Sequence, residues 1–298
     1  MAQQRTRLVM GTATPGGGFP AYGWPYAEVL NAADPTLAIE PVHTRGSNEN
    51  VVALDEGRLD LGLVTGEVTY EAVNGLGRPA AKNIRIINAT YSQAGMFMVR
   101  ADSPYRSISE LKGKPIAWGA ASSGFIVLAR YVMDGLGLDM MRDFEAHLLE
   151  KAGDGPPMVL EGRAAAMWGG GVGWPPFLAI AKGPKGARFI APSAEEIRRI
   201  TEKHAFLKPN VLPAGAYPGQ DGAITSVGSW PFVLARASLP DEVAYRLARA
   251  LHQGREKLAQ RLEQARESTL ENTLAAAPTR DLIHPGVLRY MRELGLCG

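Results

Sequence analysis

The chain has 298 residues, 46% of them hydrophobic and 21% charged, with a formal net charge of +2 and one cysteine, Cys297. That length is about two domains' worth and buries roughly three quarters of the surface that the unfolded chain exposes. The near-neutral balance disfavours nucleic acid as a partner, no apolar run reaches the ~18 residues of a membrane-spanning helix, and a lone cysteine excludes an internal disulfide or cysteine metal site. The start "MAQQRTRLVMGT" lacks the basic beginning and apolar centre of a signal peptide, so an exported form implies a signal already removed. "AQQ" after Met1 suits such a cleaved end, with a cytosolic start as the alternative.

From the N-terminus, "RLVMGT" then "YAEVLNAA", "LAIEPVHT" then "NENVVALDEG", and "LDLGLVTG" then "VTYEAVNG" alternate strand-like with helix-like spacing. A second series begins near residue 108, where "ISELKGKPIAWGAASSGFIVLARYVMDGLGL" reads as helix, strand over 115–118, Ser/Gly turn and helix; "AHLLEK", "RAAAMWGG" and "ARFIAP" continue it. This rhythm predicts an α/β fold of two lobes, each a mainly parallel sheet flanked by helices. From Asp241 the spacing is helical for about forty residues, which predicts C-terminal helices on the outside. Apolar runs between the series place hinge crossings near 97–100 and 227–233, with residues 6–98 plus 229–298 as lobe 1 and 99–228 as lobe 2.

Three turns lie between a strand and a helix: "TPGGGF", "TRGSNEN" and "GAASSGF". A helix start exposes N–H groups that attract an anion by about 0.3–1 kcal/mol, and small hydroxyl residues there either cap the helix or donate to a ligand. In open α/β sheets ligands bind beyond the carboxyl ends of strands, so turns of this kind in two lobes are expected to face each other across a cleft. The first loop has neither a Gly-Lys-Ser/Thr continuation nor the G-x-G-x-x-G spacing, which argues against ATP and NAD.

Four stretches carry a family resemblance: "GSNENVVALDEGRLDLGLVTGEVTYEAVNG" (46–75), "SISELKGKPIAWGAASSG" (107–124), "PAGAYPGQD" (213–221) and "HPGVLRYMRELG" (284–295). In order and over nearly the whole chain they resemble the TAXI-class solute receptors of TRAP transporters. The resemblance implies a two-lobed type II periplasmic binding protein, located in the periplasm and acting as a monomer. Such a receptor closes on a small, usually carboxylate, solute and delivers it to membrane permease subunits driven by an ion gradient. Carried over by position, it implies ligand contacts from Thr14, Gly17, Gly18 and Phe19; from Arg45, Ser47 and Asn48; from Thr65 and Gly66; from Ser122 and Ser123; and from Trp168, Gly169, Gly170 and Tyr217. The first loop departs from the family at Ala13, Thr14, Pro15 and Phe19-Pro20, and Arg45 stands where the family has a small residue.

Arg45 reads as a solvated arginine or as a planar fork for a carboxylate. Trp168 and Trp174, with Phe19, read as apolar walls or as core. As walls they favour a carboxylate with an aromatic or apolar body. Trp24 and Trp118 read first as core, and Tyr217 also as support for its own Pro/Gly turn. His43 and His284 lack the partners of a metal cluster or a catalytic triad, and no cofactor, metal site, nucleophile elbow or pair of catalytic carboxylates is indicated. The leading reading is a non-enzymatic receptor for a small organic anion. The alternatives are a small-molecule enzyme using the same cleft and a ligand-sensing domain for a signalling partner.

Overall fold

A computed structural model of the chain describes residues 5–298. In chain order the main elements are β1 (Thr6–Gly11), α1 (Gly18–Ala33), β2 (Leu37–Val42), α2 (Ser47–Asp55), β3 (Leu61–Val64), α3 (Gly66–Asn74), β4 (Ile84–Ala89), β5 (Gly95–Arg100), β6 (Pro115–Ala120), α4 (Gly124–Gly135) and β7 (Glu145–Leu149). They continue with α5 (Gly155–Leu160), β8 (Ala166–Gly170), α6 (Pro175–Ala181), β9 (Ala187–Ile190), α7 (Ala194–Lys203), β10 (Lys208–Leu212), β11 (Ile224–Gly228), β12 (Phe232–Arg236), α8 (Asp241–Arg261), α9 (Leu270–Ala276) and α10 (Pro285–Glu293). The chain divides into two compact units: the N-terminal residues through Ala13 with Phe19–Tyr91 and Trp230–Gly298, and Thr14–Gly18 with Ser92–Ser229.

The first unit holds a five-stranded sheet in the order β2-β1-β3-β12-β4. β1 pairs in parallel with β2 and β3, and β12 runs antiparallel between β3 and β4, so only β12 opposes the direction of the other strands. Helix α1 buries Phe19, Tyr22, Tyr26 and Leu30 along one stripe, which is the spacing a helix needs to face a sheet. Asp34, beyond the end of α1, accepts from Arg246 of α8 at 3.0 Å and also from Thr36. Burial raises its pKa, but these bonds outweigh burial and hold Asp34 below the usual carboxylate value.

The second unit is built on a sheet in the order β10-β11-β5-β8-β6-β7, with β9 also on β5. β6 is parallel to β7 and β8, whereas β5 is antiparallel to β8, β9 and β11. The expected parallel βαβ rhythm therefore holds in part of each sheet, and both sheets are mixed: β12 is reversed in the first, and β5 and the edge strand β10, antiparallel to β11, are reversed in the second. β5 and β12 are each the first strand after the chain has changed units. The change comes between Tyr91 and Ser92, and the return between Ser229 and Trp230. Residues 97–100, where the sequence suggested a crossing, lie inside β5 and pair with β9. An apolar run in a central strand looks, in sequence, like a spacer between two α/β series.

Both changeover segments are anchored in the first unit by buried polar groups. The Thr90 N–H and hydroxyl donate to the Pro231 carbonyl at 2.9 and 3.2 Å. Ser268 Oγ donates to the Thr90 carbonyl at 2.6 Å and accepts from the Tyr22 hydroxyl at 3.0 Å. Burial pushes the Tyr22 phenol above its ordinary pKa, so it stays a donor. Ser268→Ala leaves the Tyr22 hydroxyl and the Thr90 carbonyl short of a partner and is expected to cost about 1–3 kcal/mol in denaturant unfolding, with unchanged circular dichroism.

His284 caps α10. Its Nε2–H donates to the Leu239 carbonyl at 3.0 Å and its Nδ1 accepts from the Gly286 N–H at 3.3 Å, an arrangement that requires the neutral ring. Burial lowers its pKa, against the opposing effects of the Leu239 carbonyl and Asp241, with Arg85 lowering it further. Since the folded pKa lies below the unfolded one, the stabilisation is complete above about pH 6.5 and declines as pH falls from there toward the folded value, by up to ~1.4 kcal/mol per pH unit. His284→Asn keeps an acceptor for Gly286 without the titration. It should flatten the loss of stability between about pH 6.5 and pH 5.5, and an unchanged slope would exclude His284 as the cause.

Candidate functional site

In the first unit the carboxyl ends of β1 and β3 are joined through α2. Asn50 Nδ2 donates to the carbonyls of Gly11 (3.3 Å), Thr12 (2.8 Å) and Leu63 (2.8 Å). Its Oδ1 lies 2.5 Å from where a Cβ on Gly11 would stand, so a side chain at residue 11 would displace the Asn50 amide. Ser47, the first residue of α2, accepts at Oγ from the Thr65 N–H at 3.1 Å, which ties the start of α2 to the start of α3. Neither start has a side-chain cap: Gly46 has none to offer, and the Thr65 hydroxyl caps nothing. Thr65 is 3% exposed, and its Oγ1 is buried without a hydrogen-bond partner.

Asn48, the second residue of α2, accepts at Oδ1 from Arg78, a residue that the sequence reading did not select. Arg78 reaches it because the chain doubles back after α3. Gly75 (φ 65°) and Gly77 (φ 67°) take up left-handed backbone, and Ala81 N–H returns to the Ala72 carbonyl at 2.8 Å. Two left-handed glycines before an arginine were the available signal. Among the expected residues of this unit, Ser47, Asn48, Thr65 and Gly66 are thus brought together. Phe19 is buried near the start of α1. Arg45 is exposed, and its main-chain N–H is bound by Glu49 Oε2 at 2.9 Å.

The loop Thr14–Gly18 is a Pro-Gly turn closed by the Gly17 N–H on the Thr14 carbonyl at 3.3 Å, with Gly16 at φ 80°. That bond uses one of the N–H groups expected for a ligand, and Pro20 in the first turn of α1 supplies none.

In the second unit Phe125 links the expected residues. Ser123 caps α4 by accepting from the Phe125 N–H at 3.2 Å, while Ser122 is half-buried beside it. The Phe125 carbonyl accepts from Trp168 Nε1 at 3.0 Å, and the Phe125 ring packs against Trp174 at 5.3 Å. The Trp174 N–H donates to the Tyr217 hydroxyl at 2.8 Å, and that hydroxyl donates to the Gly171 carbonyl at 2.6 Å.

This arrangement corrects the expectation of an aromatic wall at Trp168. Its side chain is wholly buried, packs edge-on to Phe97 at 5.0 Å and near Trp118 at 6.1 Å, and belongs to the core of the unit. Packing likewise accounts for the glycines after it. A Cβ on Gly169 would stand 2.0 Å from the Trp174 ring, and one on Gly170 would stand 2.1 Å from the Ala94 carbonyl oxygen. Tyr217 braces the residues around Trp174 through its hydroxyl rather than its own turn alone. A run of glycines beside a tryptophan at a strand end has the same pattern whether the ring faces a ligand or the core.

Trp168→Ala is expected to cost about 3–5 kcal/mol of stability, as for a fully buried aromatic. Tyr217→Phe should cost about 1–3 kcal/mol by leaving the Trp174 N–H and the Gly171 carbonyl unmatched, with both effects read by urea unfolding.

Among the described residues no cluster of three or more His, Cys, Asp or Glu side chains could hold a metal ion, and no helix is long and apolar enough to cross a membrane. The periplasmic aliphatic sulphonate binding protein SsuA of Escherichia coli is similar in structure at 18% identity and a TM-score of 0.54, over 97% of this chain and 84% of that one. A TctC solute binding protein from Polaromonas is similar at 15% identity and a TM-score of 0.53, over 89% of each chain. An ancestral arginine-binding protein bound to arginine is similar at 14% and 0.54, over 88% of this chain and 99% of that one. These likenesses give the two-unit α/β fold of the type II periplasmic binding proteins. The model of the NMT1-like family matches residues 10–295, nearly the whole chain, and the protein belongs to that family.

Proposed function

We propose that this protein is an extracytoplasmic solute receptor that binds a small organic anion, a carboxylate, and hands it to the permease subunits of a TRAP-type transporter. The observation that carries the reading is the pair of uncapped helix starts in the first unit, α2 and α3, tied together by Ser47 and Thr65 and including a buried, unpartnered hydroxyl. Helix N-termini concentrate N–H donors and positive potential, and a buried hydroxyl can either donate or accept. Support for the transporter class comes from the likeness of residues 46–75, 107–124, 213–221 and 284–295 to TAXI-class receptors. In this reading the protein acts in the periplasm as a monomer and returns its solute chemically unchanged.

The passages Tyr91–Ser92 and Ser229–Trp230 would serve as hinges, and a solute with higher affinity for one arrangement shifts the equilibrium toward it by that difference. The preference for an aromatic body loses its main support with Trp168 in the core, so the class proposed here is the carboxylate headgroup.

Calorimetric titration of the ligand-stripped protein with phenylacetate, L-glutamate and succinate should show saturable binding of at least one acid. That acid should be recovered intact after prolonged incubation. Conversion of the bound acid to a product would favour an enzyme, and no binding of any organic acid would remove the anion from the proposal.

A further inference from the structure

In the second unit, the loop that follows β5 is held by two arginines at once. Arg188 of β9 pairs beside the end of β5, and donates through Nη1 to the Ala101 carbonyl at 2.8 Å. Its Nη2 donates to the carbonyls of Ser103 at 2.6 Å and Tyr105 at 2.8 Å. Arg106 donates through Nη1 to the same two carbonyls, at 2.6 and 3.1 Å. Two nitrogens bonded to one oxygen lie within two hydrogen-bond lengths of each other, a separation at which like charges repel. Burial lowers the pKa of Arg188, and the charge of Arg106 lowers it further.

The acids of this loop do not offset the pair. Asp102 is engaged by Arg100 at 3.0 Å and Lys185 at 3.5 Å, and the Glu110 carboxylate accepts from the main-chain N–H of Arg106 at 2.5 Å. Lys114 adds another cation, 5.8 Å from the centre of the Tyr105 ring. Among the described residues the two guanidiniums bond only to neutral carbonyls, although charges that leave water are ordinarily paired. Arg188 is half-buried, and its Nε is buried without a partner. Arg106 is exposed, and its Nε and Nη2 make no hydrogen bond among the described residues. Those two nitrogens form an edge that grips an oxyanion through two parallel bonds.

We infer that Arg106 and Arg188 form a binding site for a phosphate-class oxyanion, either free phosphate or the phosphate of a lipid headgroup. A planar carboxylate gives both oxygens to one guanidinium, whereas a tetrahedral oxyanion has oxygens for two and more charge to set against the pair. Because β5 runs antiparallel to β8, and β8 parallel to β6, this site lies where β6 and β8 begin, at the opposite end of the sheet from Trp168–Gly170. It is separate from the helix starts of the first unit and needs no solute to be occupied.

Arginine-labelled wild-type protein is titrated with inorganic phosphate at constant ionic strength, with acetate and chloride as controls. The Nε–H resonance of Arg106, assigned by its loss in Arg106→Lys, should shift saturably with phosphate and much less with either control. In calorimetry Arg106→Gln should weaken phosphate binding about tenfold or more, with thermal unfolding showing that the variant is folded. Co-sedimentation with phosphatidylglycerol vesicles, compared with phosphatidylcholine vesicles, distinguishes the two sources. Vesicle binding that Arg106→Gln abolishes, without an effect of inorganic phosphate, assigns the site to a headgroup; saturable binding of inorganic phosphate assigns it to the free ion. No response to either, a shift matched by acetate or chloride, or binding that survives Arg106→Gln within twofold overturns the site and leaves the receptor reading untouched.

Discussion

The side-chain amide of Asn50 holds the carboxyl ends of β1 and β3 together in the first unit. By donating to carbonyls at the ends of both β1 and β3 it fixes the distance between two strands whose following segments carry the glycine loop and the start of α3. Carbonyls at strand ends have no ladder partner, and unsatisfied ones cost about 1–3 kcal/mol each when buried, so one amide bridging several is a strong local constraint. The constraint also acts on the sequence: the amide oxygen occupies the space of a side chain at residue 11, and any residue but glycine there would push the amide aside. Ser47 and Thr65 then extend the bracket to the helix starts, so that donors, hydroxyls and Arg78 are positioned by one connected set of polar contacts.

The second unit uses apolar packing for the same purpose. Trp168, Phe125, Trp174 and Tyr217 lock the end of β8 to the starts of α4 and α6, with the Trp168 indole N–H and the Tyr217 hydroxyl both hydrogen-bonded. Rings fixed in this way act as a rigid support, and their removal is expected to be felt as lost stability before any change in ligand preference. The contrast is between helix starts joined by polar contacts in the first unit and helix starts braced by aromatic packing in the second, each considered by itself.

Reversed strands explain how a chain with a parallel rhythm forms two mixed sheets. β5 and β12 each begin within a few residues of a passage between units and insert among strands that run the other way. Once inserted, β5 has strand neighbours on both edges and packs against α4, α5 and α6, and its run Met96–Val99 is fully buried. The passages are held from the first unit by Thr90, Ser268 and Tyr22, whose buried hydrogen bonds leave little freedom on that side.

By itself the sequence determined the alternation of strand and helix, the two α/β series, the helical segment from Asp241 and the Ser/Gly-rich turns that precede α1, α2 and α4. Apolar periodicity and the residues that flank it are local properties, readable along the chain. The strand order, the reversed strands and the place of the first passage were decided only in the tertiary structure, because a central strand and a spacer share the same apolar run. The same holds for the site. The turn residues were legible, but the role of Trp168 was not, since burial depends on what packs opposite. Arg78 was invisible for the converse reason: it is thirty residues from Asn48, and only the fold of the loop after α3 brings the two side chains into hydrogen-bond contact.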